Sequence, residues 1–152
     1  MTPPAPHSDA RVTSLRFLAA MAVGNLVWEF GHVPLYTLWL GGSPGEIAFA
    51  VLHCTVGDVM IGGICLLLSL AMLGRGEWPH RRYGAVALGT ILLALGYTVF
   101  SEWLNTEIRE SWTYREAMPR LPVLGTGLTP VLQWAVVPVL AFGWSLPRPV
   151  MQ

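Results

Sequence analysis

The sequence predicts an all-α integral membrane protein, with four transmembrane helices in an up-down bundle and a long capping loop between the third and fourth. Three observations predict it. Of 152 residues, 53% are hydrophobic and 12% are charged, against about 25% charged in an ordinary soluble domain. Four apolar segments, residues 15–40, 44–73, 83–105 and 130–146, each come near or exceed the roughly 17 to 25 residues that span a bilayer as a helix. The breaks between them carry helix-start and turn residues, so the apolar runs are separate elements.

Residues 1–13 (MTPPAPHSDARVT) are polar and Pro-rich and read as a flexible cytoplasmic tail. The first apolar run exceeds the roughly 7 to 15 residues of a signal-peptide core and has no small-residue cleavage pattern at its end, so it reads as a retained span. Residues 14–148 then form a single four-helix transmembrane domain. Within the first run Pro34 has no N–H to donate to the carbonyl of Phe30, and a bend is expected beside Glu29 and His32. Ser43-Pro44-Gly45-Glu46 is a capping box with Pro at the first helical position, and Thr129-Pro130 repeats the cap-then-Pro start. The first two helices therefore form a hairpin with almost no loop. Gly57, Gly62 and Gly63 allow close contact along the second. The loop 106–129 has helical spacing in its first half, with Ile108 and Trp112 four apart, before Pro119, Pro122, Gly125 and Gly127 break it.

Arg11, Arg16, Arg75, Arg81, Arg82 and Arg148 fall on one side of this arrangement, and Arg109, Arg115 and Arg120, diluted by Glu107, Glu110 and Glu116, on the other. The positive-inside rule places both termini in the cytoplasm, and the expected location is a bacterial inner membrane. Nine arginines, no lysine and nine acids give a formal charge of zero, which lacks the basic footprint of a nucleic-acid partner. Cys54 and Cys65, eleven residues apart on one helix, stand about 16 Å apart and cannot bridge.

Ionisable groups inside these runs carry the functional argument. A charged side chain in hydrocarbon costs roughly 2.5 to 3.5 kcal/mol or more, so it faces a protein interior, finds partners and marks a site. Asn25, Glu29, His32 and Tyr36 lie at offsets 0, 4, 7 and 11, which place them within an arc of about 60° on one helix face. Counting from the hairpin at 1.5 Å per residue, His32 and His53 both lie about 12 to 14 Å below the outer end, Glu29 about 17 Å and Asp58 about 21 Å. Glu102 enters from the far end of the third helix, and Gln133 sits just inside the fourth. All four helices thus direct polar groups toward the outer half, beneath the long loop.

Three chemistries fit that constellation. Glu29, His32, Glu102 and Asp58 suit acid/base catalysis on a lipid-soluble substrate such as an isoprenoid or sterol undergoing isomerisation or hydration. Asn25, Tyr36, Trp28, Trp103, Trp112, Tyr114, Gln133 and Trp134 would line or roof its pocket, their rings stabilising a developing cation. Glu29, His32, His53 and Glu102 alternatively form an N/O ligand set for a transition metal (Fe, Mn, Zn or Cu), since Glu29-x-x-His32 matches the spacing used in metal-binding bundles. A second Glu-x-x-His is missing. A proton or small-solute pathway is the third chemistry. The implied partners are membrane lipids or a lipid-soluble small molecule, with a homo-oligomer or an accessory role in a larger membrane complex also open. The plainest alternative is that Glu29 and His32 only hold the helices together.

Overall fold

A computed structural model describes residues 6–122 and 125–147. Arg148, one of the six arginines counted on one side, and residues 1–5 of the expected tail lie outside the described residues. Helix α1 spans Pro6–His32, a 3-10 turn follows at Val33–Leu35, and a single turn α2 covers Leu38–Gly41. Helix α3 spans Pro44–Ser69 and continues as a π turn over Leu70–Gly74. Helix α4 spans Tyr83–Trp103 with a π turn at Leu104–Ile108, and α5 spans Leu128–Ser145. There is no strand among the described residues.

The stretches Pro44–Gly74, Tyr83–Ile108 and Leu128–Ser145 are long and apolar enough to cross a membrane. α1 has the length but not the apolarity, because Arg16, Asn25, Glu29 and His32 interrupt it. It begins at Pro6, so residues 6–13 form its first two turns. It also stops earlier than the apolar run suggests. Pro34 ends it rather than bending it: Val33, ahead of the proline, is disfavoured in a continuing helix, and the chain becomes extended at Tyr36. The carbonyl of Pro34 instead accepts a hydrogen bond from the Arg115 guanidinium at 2.6 Å.

The capping box at α3 is present as the sequence predicts. The Ser43 hydroxyl accepts from the Glu46 N–H at 3.3 Å, and the Glu46 carboxylate accepts from the Ser43 N–H at 2.8 Å. Two other boundary expectations are corrected. α5 starts at Leu128 with Gly127 as its cap, and the Thr129 hydroxyl turns away to the Met118 sulfur at 3.2 Å. The helix expected to reach Trp112 ends at Ile108, since Glu110 adopts a left-handed backbone (φ 50°) that no α-helix can include.

α1 packs against α3 and α5, and α4 packs against the same two helices. Close approach is set at particular glycines. A Cβ on Gly24 would lie 2.7 Å from Val137 Cγ1 on α5, and one on Gly62 would lie 3.1 Å from Met21 Cε on α1. Gly57 meets nothing within 4 Å, so it plays no part in the packing expected of it. The apolar core, built from Phe17, Met21, Cys65, Leu66, Val137, Ala141 and Phe142 among others, fills the half of the molecule nearer the α3–α4 connection. There Trp78 stacks on Tyr83 at 4.8 Å, and the Tyr83 hydroxyl donates to the Phe142 carbonyl at 2.5 Å. The polar residues occupy the other half.

Candidate functional site: a carboxyl, histidine and amide cluster

Met21, Asn25, Glu29 and His32 are buried and repeat at helical spacing along α1, so its inward face changes from apolar to polar one turn past Met21. Asp58 on α3 and Gln133 on α5 meet this face. The Gln133 amide nitrogen lies 3.0 Å from Asn25 Oδ1, 3.1 Å from Glu29 Oε1 and 2.8 Å from Asp58 Oδ2. Glu29 Oε2 lies 3.1 Å from His32 Nε2. Three helices are therefore joined at one nitrogen, and a histidine is attached to the central carboxyl.

The Gln133 N–H groups face the two carboxyls, and Asn25 turns its oxygen to the same nitrogen. Its own amide nitrogen is left buried without a partner, as are His32 Nδ1 and the indole N–H of Trp28. Unsatisfied buried donors cost about 1 to 3 kcal/mol each.

Glu102 on α4 forms a second centre beside the first, toward the end of the molecule that carries Tyr114. It is 8% exposed, accepts a hydrogen bond from the Tyr114 hydroxyl, and has His32 and Glu29 nearby. Trp112 is near the same carboxyl, although its indole N–H satisfies no acceptor. Burial first, and the Glu102 carboxyl beside it second, hold the Tyr114 phenol above its usual range, so it stays a neutral donor. The Gly127 N–H donates to the Tyr114 oxygen at 3.1 Å, and the Arg120 guanidinium sits 5.2 Å above the ring.

The segment carrying Tyr114 is fastened across the site. Arg115 N–H donates to the Leu35 carbonyl at 2.9 Å and Thr37 N–H to the Thr113 carbonyl at 3.0 Å. Tyr36 fills the space beneath, its ring 5.4 Å from both His32 and Tyr114. The loop thus covers the polar end of the helices. Arg115, Thr126 and Gly127 belong to this cover, and none of them was a site residue from the sequence; Gly127 packs so tightly that a Cβ would lie 3.1 Å from the Tyr114 ring.

Of the proposed catalytic residues, Glu29, His32 and Asp58 share one hydrogen-bonded cluster and Glu102 is adjacent. Of the proposed lining residues, Asn25, Gln133, Tyr36, Tyr114 and Trp112 lie in or around it, whereas Trp28 packs against the apolar core. Trp134 is instead a core residue, 2% exposed and packed by Gly62, and Trp103 is exposed on α4. The metal set of Glu29, His32, His53 and Glu102 is not assembled. Among the described residues, no three His, Cys, Asp or Glu side chains are placed to hold a metal ion. His53 is exposed and stacks on Phe49 at 5.5 Å between centroids. Val51, Thr55, Asp58 and Gly62 carry the inward face of α3, and position 53 lies about 160° from Val51 and Thr55.

The class these features define is a helical protein with three apolar helices of membrane-spanning length and a buried acid, histidine and amide cluster. Comparison with known protein families, with curated proteins and with solved structures found no match for the chain.

Proposed function

We propose that this protein is an integral membrane enzyme, an up-down bundle of α1, α3, α4 and α5, that carries out acid/base chemistry on a lipid-soluble substrate at Glu29. The observation that carries this reading is the Gln133 amide bridging the Glu29 and Asp58 carboxyls while His32 holds the other Glu29 oxygen. No arginine hydrogen-bonds or ion-pairs with these carboxyls among the described residues. Carboxyls that were only structural glue would be expected to pair with a cation or give way to packing. Here they face each other beside an imidazole, an arrangement that passes protons readily.

Membrane insertion is supported by the outward faces. Phe49, Leu52, Val56, Met60, Ile64 and Leu67 on α3 are all more than half exposed, a stripe that water would penalise and lipid would not. We place both termini in the cytoplasm and the Tyr114 segment outside, in a bacterial inner membrane. A transmembrane proton or solute pathway is less well supported, because inward of Asp58 the cluster gives way to Phe17, Met21, Leu66 and Phe142. A metal reading lacks a ligand set among the described residues.

The test is deuterium transfer to carbon. Proteoliposomes made with a total membrane lipid extract are incubated in D2O, and the lipids are analysed by mass spectrometry for deuterium that does not wash out. The expected result is incorporation into one lipid class, reduced at least about a hundredfold in Glu29→Gln, as for removal of a positioned acid/base group. Glu77→Gln, on the α3–α4 connection, should behave as wild type. No incorporation by the wild type, or equal incorporation by Glu29→Gln, would remove the enzymatic reading.

A further inference from the structure

Between Phe49 and Leu67, a run of about 27 Å along the helix, every exposed side chain of α3 is apolar or a thiol except His53. That run is close to the hydrocarbon thickness of a bilayer, roughly 30 Å. His53 stands about 6 Å inside its Phe49 end. Phe49 stacks on the ring at 5.5 Å between centroids, which leaves the ring nitrogens without partners. His32 and His80 each hydrogen-bond to a carboxyl, whereas His53 makes no hydrogen bond among the described residues. A polar group without a partner is costly in lipid, and an ionisable one at membrane depth marks a site whose partner has to be found.

His53 also begins a regular seam. His53, Gly57, Met60, Ile64 and Leu67 follow one another at spacings of four, three, four and three, the repeat by which two helices pack along their length in a left-handed pair. The seam is free of the chain's own packing: Met60, Ile64 and Leu67 are each more than half exposed, and a Cβ on Gly57 would meet nothing within 4 Å. One turn from His53, Gly57 leaves room for another backbone to come close. A single polar residue in such a seam fixes the register of the two helices.

We propose that this face of α3 is the interface of a homodimer in the membrane, in which two α3 helices cross near Gly57 and each His53 ring hydrogen-bonds to the His53 ring of the second copy. The occupant is chosen by symmetry and by hydrogen-bond chemistry. Both copies insert in the same direction, so a two-fold axis along the membrane normal sets α3 parallel to its counterpart and brings each seam residue opposite itself. An imidazole with one N–H has one donor and one acceptor, and is therefore complementary to a second imidazole. Hydrocarbon chains offer neither group.

The dimer rests on the membrane insertion proposed above and is independent of the acid/base chemistry at Glu29. It gives α3 two working faces. Asp58 meets Gln133 on one of them, and position 53 lies about 140° around the helix from position 58. Pairing along the seam therefore leaves the carboxyl cluster of each copy where it is, with the second copy packed behind the helix that carries Asp58.

The test uses the full chain in phosphatidylcholine and phosphatidylglycerol liposomes, in a background of Cys54→Ala and Cys65→Ala. With donor and acceptor dyes on Glu116→Cys, energy transfer should fall on dilution with lipid along a monomer to dimer curve. His53→Leu should raise the dissociation constant about three- to tenfold, the reach of one interhelical hydrogen bond in a membrane. Gly57→Leu should raise it at least as much, and its Cβ meets nothing in the chain's own fold. On mild oxidation Met60→Cys and Ile64→Cys should give a product of twice the chain's mass, and Leu140→Cys, as exposed on α5 as Met60 is on α3, should not. Energy transfer at the level of chance proximity, an unchanged dissociation constant in His53→Leu, or equal crosslinking at position 140 would each overturn the proposal. So would crosslinking of Met60→Cys, in whole membranes, to a protein of different mass. Release of the chain from membranes by alkaline carbonate would remove the membrane reading and the dimer with it, whereas a retained monomer would remove the dimer alone.

Discussion

Gln133 has two N–H bonds to give and three oxygens within 3.1 Å, so its neighbours cannot all be satisfied by it at once. One N–H must be shared. Tyr114 is simpler, with one donor and one carboxyl in a buried pair. Tyr114→Phe should lower stability at neutral pH by about 1 to 3 kcal/mol, the cost of leaving Glu102 short of a partner. Its pH dependence has a definite sign. Burial raises the folded phenol above its unfolded value, so the stabilisation is whole below about pH 10, the ordinary tyrosine value, and is lost as pH rises through the folded one. Thermal unfolding of wild type and Tyr114→Phe between pH 7 and 11 should show their difference narrowing above about pH 10. A constant difference would mean that the phenol does not carry it.

Between elements, the α1–α5 crossing determines where the cluster forms, because Asn25 can reach Gln133 only if the helices approach at Gly24. Gly24→Ala would place a methyl 2.7 Å from Val137 Cγ1, and overpacking of this kind costs about 1 to 3 kcal/mol. Gly57→Ala meets nothing within 4 Å and should be neutral or stabilise by up to about 1 kcal/mol through helix propensity. Val137→Ala should restore much of the loss in Gly24→Ala by removing the obstructing methyl. Unfolding in detergent would measure all three, and equal stability of the Gly24 and Gly57 variants would mean that the crossing is not tightly packed. The glycines were visible in the sequence; which of them faced a neighbour was not.

For the whole molecule, the asymmetry between a polar half and an apolar half gives the proposed topology its functional meaning, since in that topology the covered site faces outward. In a background of Cys54→Ala and Cys65→Ala, a membrane-impermeant thiol reagent added to intact cells should modify Glu116→Cys and leave His80→Cys untouched. The opposite pattern would reverse the orientation. It would also place the Tyr114 segment, tied down through Thr37, Leu35 and Pro34, on the cytoplasmic side.

Composition and pattern by themselves determined that the chain is helical, where three apolar helices lie, and that the Ser43 capping box starts one of them. They also picked out Glu29, His32, Asp58, Gln133 and Glu102 as polar groups in apolar surroundings, because that conflict with hydropathy is local and visible in one dimension. The polar residues of α1 were legible for the same reason that α1 falls short of the apolarity of the other three. Tertiary structure alone decided azimuth and partnership. His53 lies on the wrong face of its helix, Trp134 turns into the core, and Pro34 ends a helix that residue counting carried on to position 40. Depth follows from counting residues along one helix, but facing depends on how helices are rotated against one another. That rotation is set by contacts such as Gly24 on Val137 and Gly62 on Met21, which join positions far apart in the chain.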